Sequence, residues 1–187
     1  MKLLQEIPDH VQLVAVSKTK SNEEIMEAYH AGQRIFGENK IQDLVAKYKS
    51  LPKDISWHMI GHVQSNKVKY MASFVDLIHG VDSLKLLKEI NKHALKNKRH
   101  IRCLLQLDIT EESTKFGFSE EEALEALAFS ETLENMEVIG LMGIATFTDN
   151  KDQITNEFKG LKSFYDQLCI HYTKMTTIST GMSGDYS

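Results

Sequence analysis

Proline is almost missing from this chain, with two residues among 187. No Pro-rich or low-complexity tract and no linker divides it, so one continuous domain over residues 1–187 is expected. Cysteine is as scarce. Cys103 and Cys169 form no CxxC pair and no disulfide framework, and their apolar surroundings predict reduced core residues in a reducing compartment. Positive charge is not in excess: the formal net charge is −4, which speaks against a general nucleic-acid binder. The local cluster of Lys92, Lys96, Lys98 and Arg99 reads as a solvated helix terminus whose cations suit the negative end of the helix dipole. Long apolar runs are lacking, so no membrane span is expected. Lys2, Glu6 and Asp9 interrupt the N-terminal stretch that a signal peptide would keep apolar. A cytoplasmic location is the expectation that follows.

What is present is a repeated type of unit, in which a short β-branched run is followed by a polar turn and then a stretch with helical period. Expected strands fall at Val11–Ser17, Arg34–Phe36, Trp57–Ile60, Val75–His79, Ile101–Asp108, Val138–Ile144 and Met175–Ser179. Between them, Ser21 with Glu24 and Ser119 with Glu122 have the S-x-x-E spacing of a capping box, in which each end of the motif satisfies a backbone N–H. Gly32 is placed to stop the first helix, and Ser83 to open the fourth. Alternating β and α units imply a mostly parallel sheet covered by helices. The pattern alone leaves two topologies open, an open doubly wound sheet and a closed eight-stranded barrel.

Polar residues gather at the C-terminal ends of the expected strands, where parallel α/β proteins build their sites. Lys18 ends an otherwise apolar strand. It reads either as a lysine that snorkels to water or as a nucleophile, which must act as the free amine. Asn39, in Gly37-Glu38-Asn39, either caps the next helix or presents its amide to a ligand. His58 and His62 are four apart, but Gly61 breaks any helix and no third ligand stands near in sequence, so no metal is expected. Asp82, Asp108 and Thr146 complete the rim. Ser179-Thr180-Gly181-Met182-Ser183 offers hydroxyls and backbone N–H groups to a phosphate, or forms a Ser/Gly-rich turn.

Taken together, VAVSKTK (14–20), IFGENKIQD (35–43), WHMIGHVQSNK (57–67), KFGF (115–118), GLMGIAT (140–146) and STGMSGDY (179–186) closely resemble the YggS/PROSC family of pyridoxal-phosphate homeostasis proteins. The resemblance runs in order from near residue 10 to the last residue. It implies the alanine-racemase N-terminal-like barrel, a parallel (β/α)8 TIM-type barrel of fold type III, with pyridoxal 5′-phosphate as cofactor. By position, Lys18 matches the family lysine that forms the Schiff base. Asn39 matches a residue lining the cofactor, and His58, Gly61, Gln64 and Asn66 match the third-strand motif near the pocket. Met142 matches the cofactor-side methionine, and Ser179, Gly181, Met182 and Ser183 match part of the phosphate-binding region. Family members continue with a helix, a Gly-Ser-Thr turn and an Arg-Ile-Gly strand that have no counterpart in these residues. The expectation is a barrel lacking its final βα unit, with weaker cofactor binding and lower stability than a longer relative.

A racemase needs two bases on opposite faces of the cofactor. The resemblance covers only a barrel, with no second domain to supply the other base. It therefore implies a monomeric carrier acting in cofactor supply and amino-acid balance, with cofactor-dependent client enzymes as partners and no assigned catalytic residue. The alternatives are a racemase- or decarboxylase-like enzyme using His62 or Tyr186, and a cofactor-free barrel enzyme acting on a sugar phosphate.

Overall fold

The computed structural model describes residues 7, 8, 10–110 and 117–181. The expectations placed on Met182, Ser183 and Tyr186, and on Lys115 and Phe116 of KFGF, lie outside the described residues. Strands and helices alternate as β1 (Ala15–Val16), α1 (Asn22–His30), β2 (Ile35–Glu38), α2 (Ile41–Ser50) and β3 (Ser56–Met59). A 3-10 helix (Ser65–Tyr70) leads to β4 (Leu77–Val81), α3 (Leu84–Lys96), β5 (Ile101–Leu107) and α4 (Glu120–Ser130). The order ends with β6 (Met136–Gly143), α5 (Lys151–His171) and β7 (Thr177–Ser179).

Local chemistry sets the helix starts. Ser21 and Ser119 each accept from the backbone N–H three residues on, while Glu24 and Glu122 reach back to the cap, so both capping boxes form. Ser83 caps α3 through its hydroxyl, and Gly32 follows α1 at φ 103°, a left-handed position that glycine takes without strain. The first strand is shorter than expected. Only Ala15 and Val16 pair, with Phe36 and Gly37 of β2, because β1 has a single neighbour among the described residues.

All neighbouring strands are parallel and lie in sequence order, β1-β2-β3-β4-β5-β6-β7. The order never reverses, as it does in a doubly wound sheet. Right-handed crossovers that always step to the same side leave every helix on one face. The packing agrees. Ile25, Leu44, Leu87, Ile90, Leu127 and Phe164 from the five helices join Phe36, Trp57, Ile78, Cys103 and Leu141 from the sheet in one core. Each such fully buried side chain contributes about 1.5–3 kcal/mol relative to exposure. A separate, smaller cluster of Leu77, Leu104, Ile139 and Met142 lies on the other face.

That second face is concave. His79 of β4 and Ser179 of β7 are joined by a 2.9 Å hydrogen bond. In a flat sheet, strands three places apart are about 14 Å apart, beyond the combined reach of these side chains. The sheet therefore curls as a half-barrel, with the small cluster inside and the helices outside.

One expectation fails. Cys103 is buried, and its thiol is pushed up by burial, but Cys169 is exposed. It follows Leu168, which faces the sheet, and one step along a helix turns a side chain by about 100°.

Candidate functional site

Because the strands are parallel, their C-terminal ends form one rim. Lys18 lies two residues past β1, Asn39 just past β2, His62 past β3, Asp82 past β4, Asp108 past β5 and Thr146 past β6, while Ser179 ends β7. Seven rim segments were legible in sequence, and the fold brings them to one end.

Lys18 is exposed and has no ion pair among the described residues, whereas Lys20 is held by Glu24 at 2.8 Å. Thr19 follows at φ 65°, a left-handed position costly for a β-branched residue, and turns the chain at the rim. Beneath it lies a buried polar knot that sequence reading missed. Glu38 has a fully buried side chain. Its Oε1 accepts from Lys47 Nζ and from Ser17 Oγ, each at 2.6 Å, and Lys47 also donates to the Ser17 carbonyl at 2.7 Å. The knot ties the residue before Lys18 to β2 and α2. A signal for it existed: Lys47 falls three residues after Leu44 and six after Ile41, in the buried stripe of α2.

Asn39 is exposed, and α2 is capped by Lys40 without a side-chain bond, so Asn39 is not the helix cap. Its backbone is approached closely by Gly61, where an added Cβ would stand 2.4 Å from the Asn39 carbonyl oxygen. Glycine is required there to bring the loops after β2 and β3 together.

The two histidines of the third-strand motif diverge. His62 lies at the rim with Nδ1 2.7 Å from Asp82 Oδ2. His58 points into the concave face, where its Nδ1 lies 3.0 Å from His79 Nε2, and Nδ1 of His79 meets Ser179 Oγ. On the other side, His58 Nε2 stands 3.9 Å from Asp76, whose carboxylate accepts from Ser56 and Arg102. Burial pushes His58 down to about 4, opposed by Asp76 and aided by Arg102. Burial together with the charge of His58 pushes His79 down to about 3. Asp76 is held below the usual carboxylate range: burial works the other way but is outweighed by the Ser56 and Arg102 bonds. Sequence reading found no carboxylate near either histidine. Asp76 and Asp82 flank the next strand, one just before it and one just after, a proximity that spacing does not show.

Register sets Gln106, Met142 and Ser179 side by side across β5, β6 and β7. Met142 is buried within the concave apolar cluster, and Gly181 follows at φ 90°. Gln64 and Asn66 sit apart from this group, lining a hollow with Lys85 and Glu89. Thr146 is held by Glu157 of α5, which accepts from its N–H at 2.7 Å and its hydroxyl at 2.6 Å. It thus fastens the rim loop to a helix.

A singly wound, curled parallel sheet with a lysine and a hydroxyl–glycine turn on its rim defines the class of the alanine-racemase barrel. The family model described as "Alanine racemase, N-terminal domain" matches residues 1–187. The pyridoxal phosphate homeostasis protein of Vibrio alginolyticus is 36% identical over 183 residues, which covers 95% of this chain and 78% of that relative. The chain belongs to the pyridoxal phosphate homeostasis protein family. Among solved structures, PipY of Synechococcus elongatus PCC7942 with PLP bound superposes with a TM-score of 0.89 at 33% identity, over 99% of this chain and 88% of that one. An alanine racemase of Clostridium difficile 630 shares the fold with a TM-score of 0.75 at 11% identity, over 96% of this chain and 48% of that one.

Proposed function

We propose that this chain binds pyridoxal 5′-phosphate at the rim, joined to Lys18 Nζ as a Schiff base, and serves as a carrier in supply of the cofactor and in amino-acid balance. The residues fit the group. Lys18 offers an amine without an ion pair among the described residues, Ser179 and the turn at Gly181 offer donors to a phosphate, and Met142 offers an apolar surface beside them. When bound, the cofactor supplies an aldehyde that condenses with amines. The chain's own part is to hold and orient: the Glu38–Lys47–Ser17 knot fixes the backbone before Lys18, and Gly61 seats Asn39 at the next rim position. The family membership and the PLP-bound PipY relative support the reading. The observation that carries it is Lys18 at the rim of the curled sheet.

With this goes a fold proposal, a single cofactor-binding (β/α)8 barrel domain in which a further βα unit closes the sheet between β7 and β1. Monomeric, cytoplasmic delivery to client enzymes completes the reading. Borohydride reduction after adding pyridoxal phosphate, followed by peptide mapping, is expected to mark Lys18. Label spread over other lysines, or none, contradicts it.

The His62–Asp82 pair favours one second reading, a racemase- or decarboxylase-like enzyme in which Asp82 orients His62 as a rim base. Hydrogen exchange at the Cα of amino acids that disappears in both Lys18→Ala and His62→Gln would establish it. Exchange absent from the wild type removes it.

A further inference from the structure

The polar chain on the concave face, Asp76–His58–His79–Ser179, ends on the hydroxyl assigned above to the phosphate. We propose that the His58–His79 pair sets the direction of the Ser179 hydroxyl, so that a phosphate monoester binds there only with a tautomer shift in both imidazoles. His79 is then a positioning residue for the phosphate end of the ligand. The proposal rests on the cofactor reading for the identity of that ligand.

The argument is one of donors and acceptors. A neutral imidazole has one N–H and one bare nitrogen. Burial keeps both rings neutral at pH 7. The chain then has two consistent arrangements. In the first, His58 turns its Nε2–H toward Asp76 at 3.9 Å, His79 Nε2–H donates to His58 Nδ1 at 3.0 Å, and Ser179 donates its hydroxyl proton to His79 Nδ1 at 2.9 Å. Ser179 then shows only lone pairs to the rim, which repel an anion. In the second, every bond reverses. His58 Nδ1–H donates to His79, His79 Nδ1–H donates to Ser179 Oγ, and the Ser179 O–H is left to donate to a phosphate oxygen. One proton leaves His58 Nε2 toward Asp76 and water as one enters at Ser179, so both rings remain neutral. Among the described residues, the charged groups facing the pair are Asp76, just before β4, and Arg102 of β5, both beside His58, while the titratable group acting on His79 is His58. With Asp76 beside His58, the first arrangement is the resting one, and an anion must select the second.

The first probe is inorganic phosphate added to the chain labelled with 15N-histidine. The expected result is conversion of His79 Nδ1 from a bare to a protonated nitrogen. Unchanged tautomers at phosphate saturation would overturn the proposal. The second probe is the preference for pyridoxal phosphate over pyridoxal, which lacks the phosphate. His79→Leu is expected to lower that preference about tenfold, and His79→Asn to restore most of it by presenting an amide N–H near the Nδ1 position. In a Ser179→Ala background, His79→Leu is expected to change nothing further. Equal weakening toward both aldehydes, or weakening that persists without the hydroxyl, would show a merely structural role. If phosphate shifts the tautomers but neither aldehyde reacts at Lys18, the cofactor reading falls and the coupling stands. If Lys18 reacts while the tautomers stay fixed, the coupling falls alone.

Discussion

Glu38 keeps its carboxylate wholly inside the protein, with Oε1 shared by Lys47 and Ser17 and Oε2 without a hydrogen-bond partner among the described residues. Removing one member of such a pair leaves a buried charge uncompensated, which costs more than the pair contributes when intact. Lys47→Met is expected to destabilise the chain by about 3–5 kcal/mol in urea unfolding, and the Glu38→Gln, Lys47→Met double variant by clearly less. The histidines make a pH prediction. Both have folded values lowered to about 4 and about 3, against an unfolded value of about 6.5. The unfolded chain therefore binds more protons between those limits. Their contribution is complete above about pH 6.5 and is lost as pH falls toward 4 and then 3. Urea midpoints should fall from pH 7 to pH 4.5 in the wild type, and fall less in His79→Leu. An equal fall in both would show that other groups govern the slope. Such residue-scale detail was poorly legible in the sequence. Lys18, Asn39 and Ser179 stood out because apolar strands ended on them. The partners of Glu38, His79 and Asp76 come from 9 to 100 residues away and carry no local signal.

Helices and strands carried their own punctuation, so elements were far more legible than contacts. Both capping boxes were visible as S-x-x-E and both form. Ser119→Ala is expected to cost about 1 kcal/mol in thermal unfolding, since it removes the hydroxyl that accepts from the Glu122 N–H while the Ser119 backbone bond to Glu122 remains. Strand ends were less legible. Val11–Leu13 have strand-like composition but no ladder partner among the described residues, and pairing, not propensity, decides a strand at the edge of a sheet. Two glycines give opposite predictions. At Gly140 of β6 a Cβ would stand 1.6 Å from the Thr177 carbonyl oxygen, so Gly140→Ala must push β7 away. At Gly160, inside α5, a Cβ would meet nothing within 4 Å beyond its own helix backbone among the described residues. Gly160→Ala is expected to stabilise by about 0.5–1 kcal/mol, by relieving the entropy that glycine loses in a helix. Melting temperatures of the two variants should move in opposite directions, and Gly140→Ala should speed hydrogen exchange along β7.

Across the whole molecule, the strand order and the bond between His79 and Ser179 decide what the repeated βα units could not. Periodicity placed strands and helices but carried no information on whether the sheet reverses or keeps winding. The in-order parallel ladder gives the second outcome, and the curl brings one end of every strand around a common concave face. That geometry makes Lys18 and Ser179, which are 161 residues apart (179 − 18), members of one rim. The account's central claim is that this rim holds pyridoxal phosphate through Lys18. The most direct test is an absorption titration of the purified chain with pyridoxal phosphate, wild type beside Lys18→Ala, with folding of both checked by circular dichroism. The account predicts a saturable near-visible band in the wild type that the variant lacks. A folded wild type without the band, or a variant that keeps it, would contradict the claim.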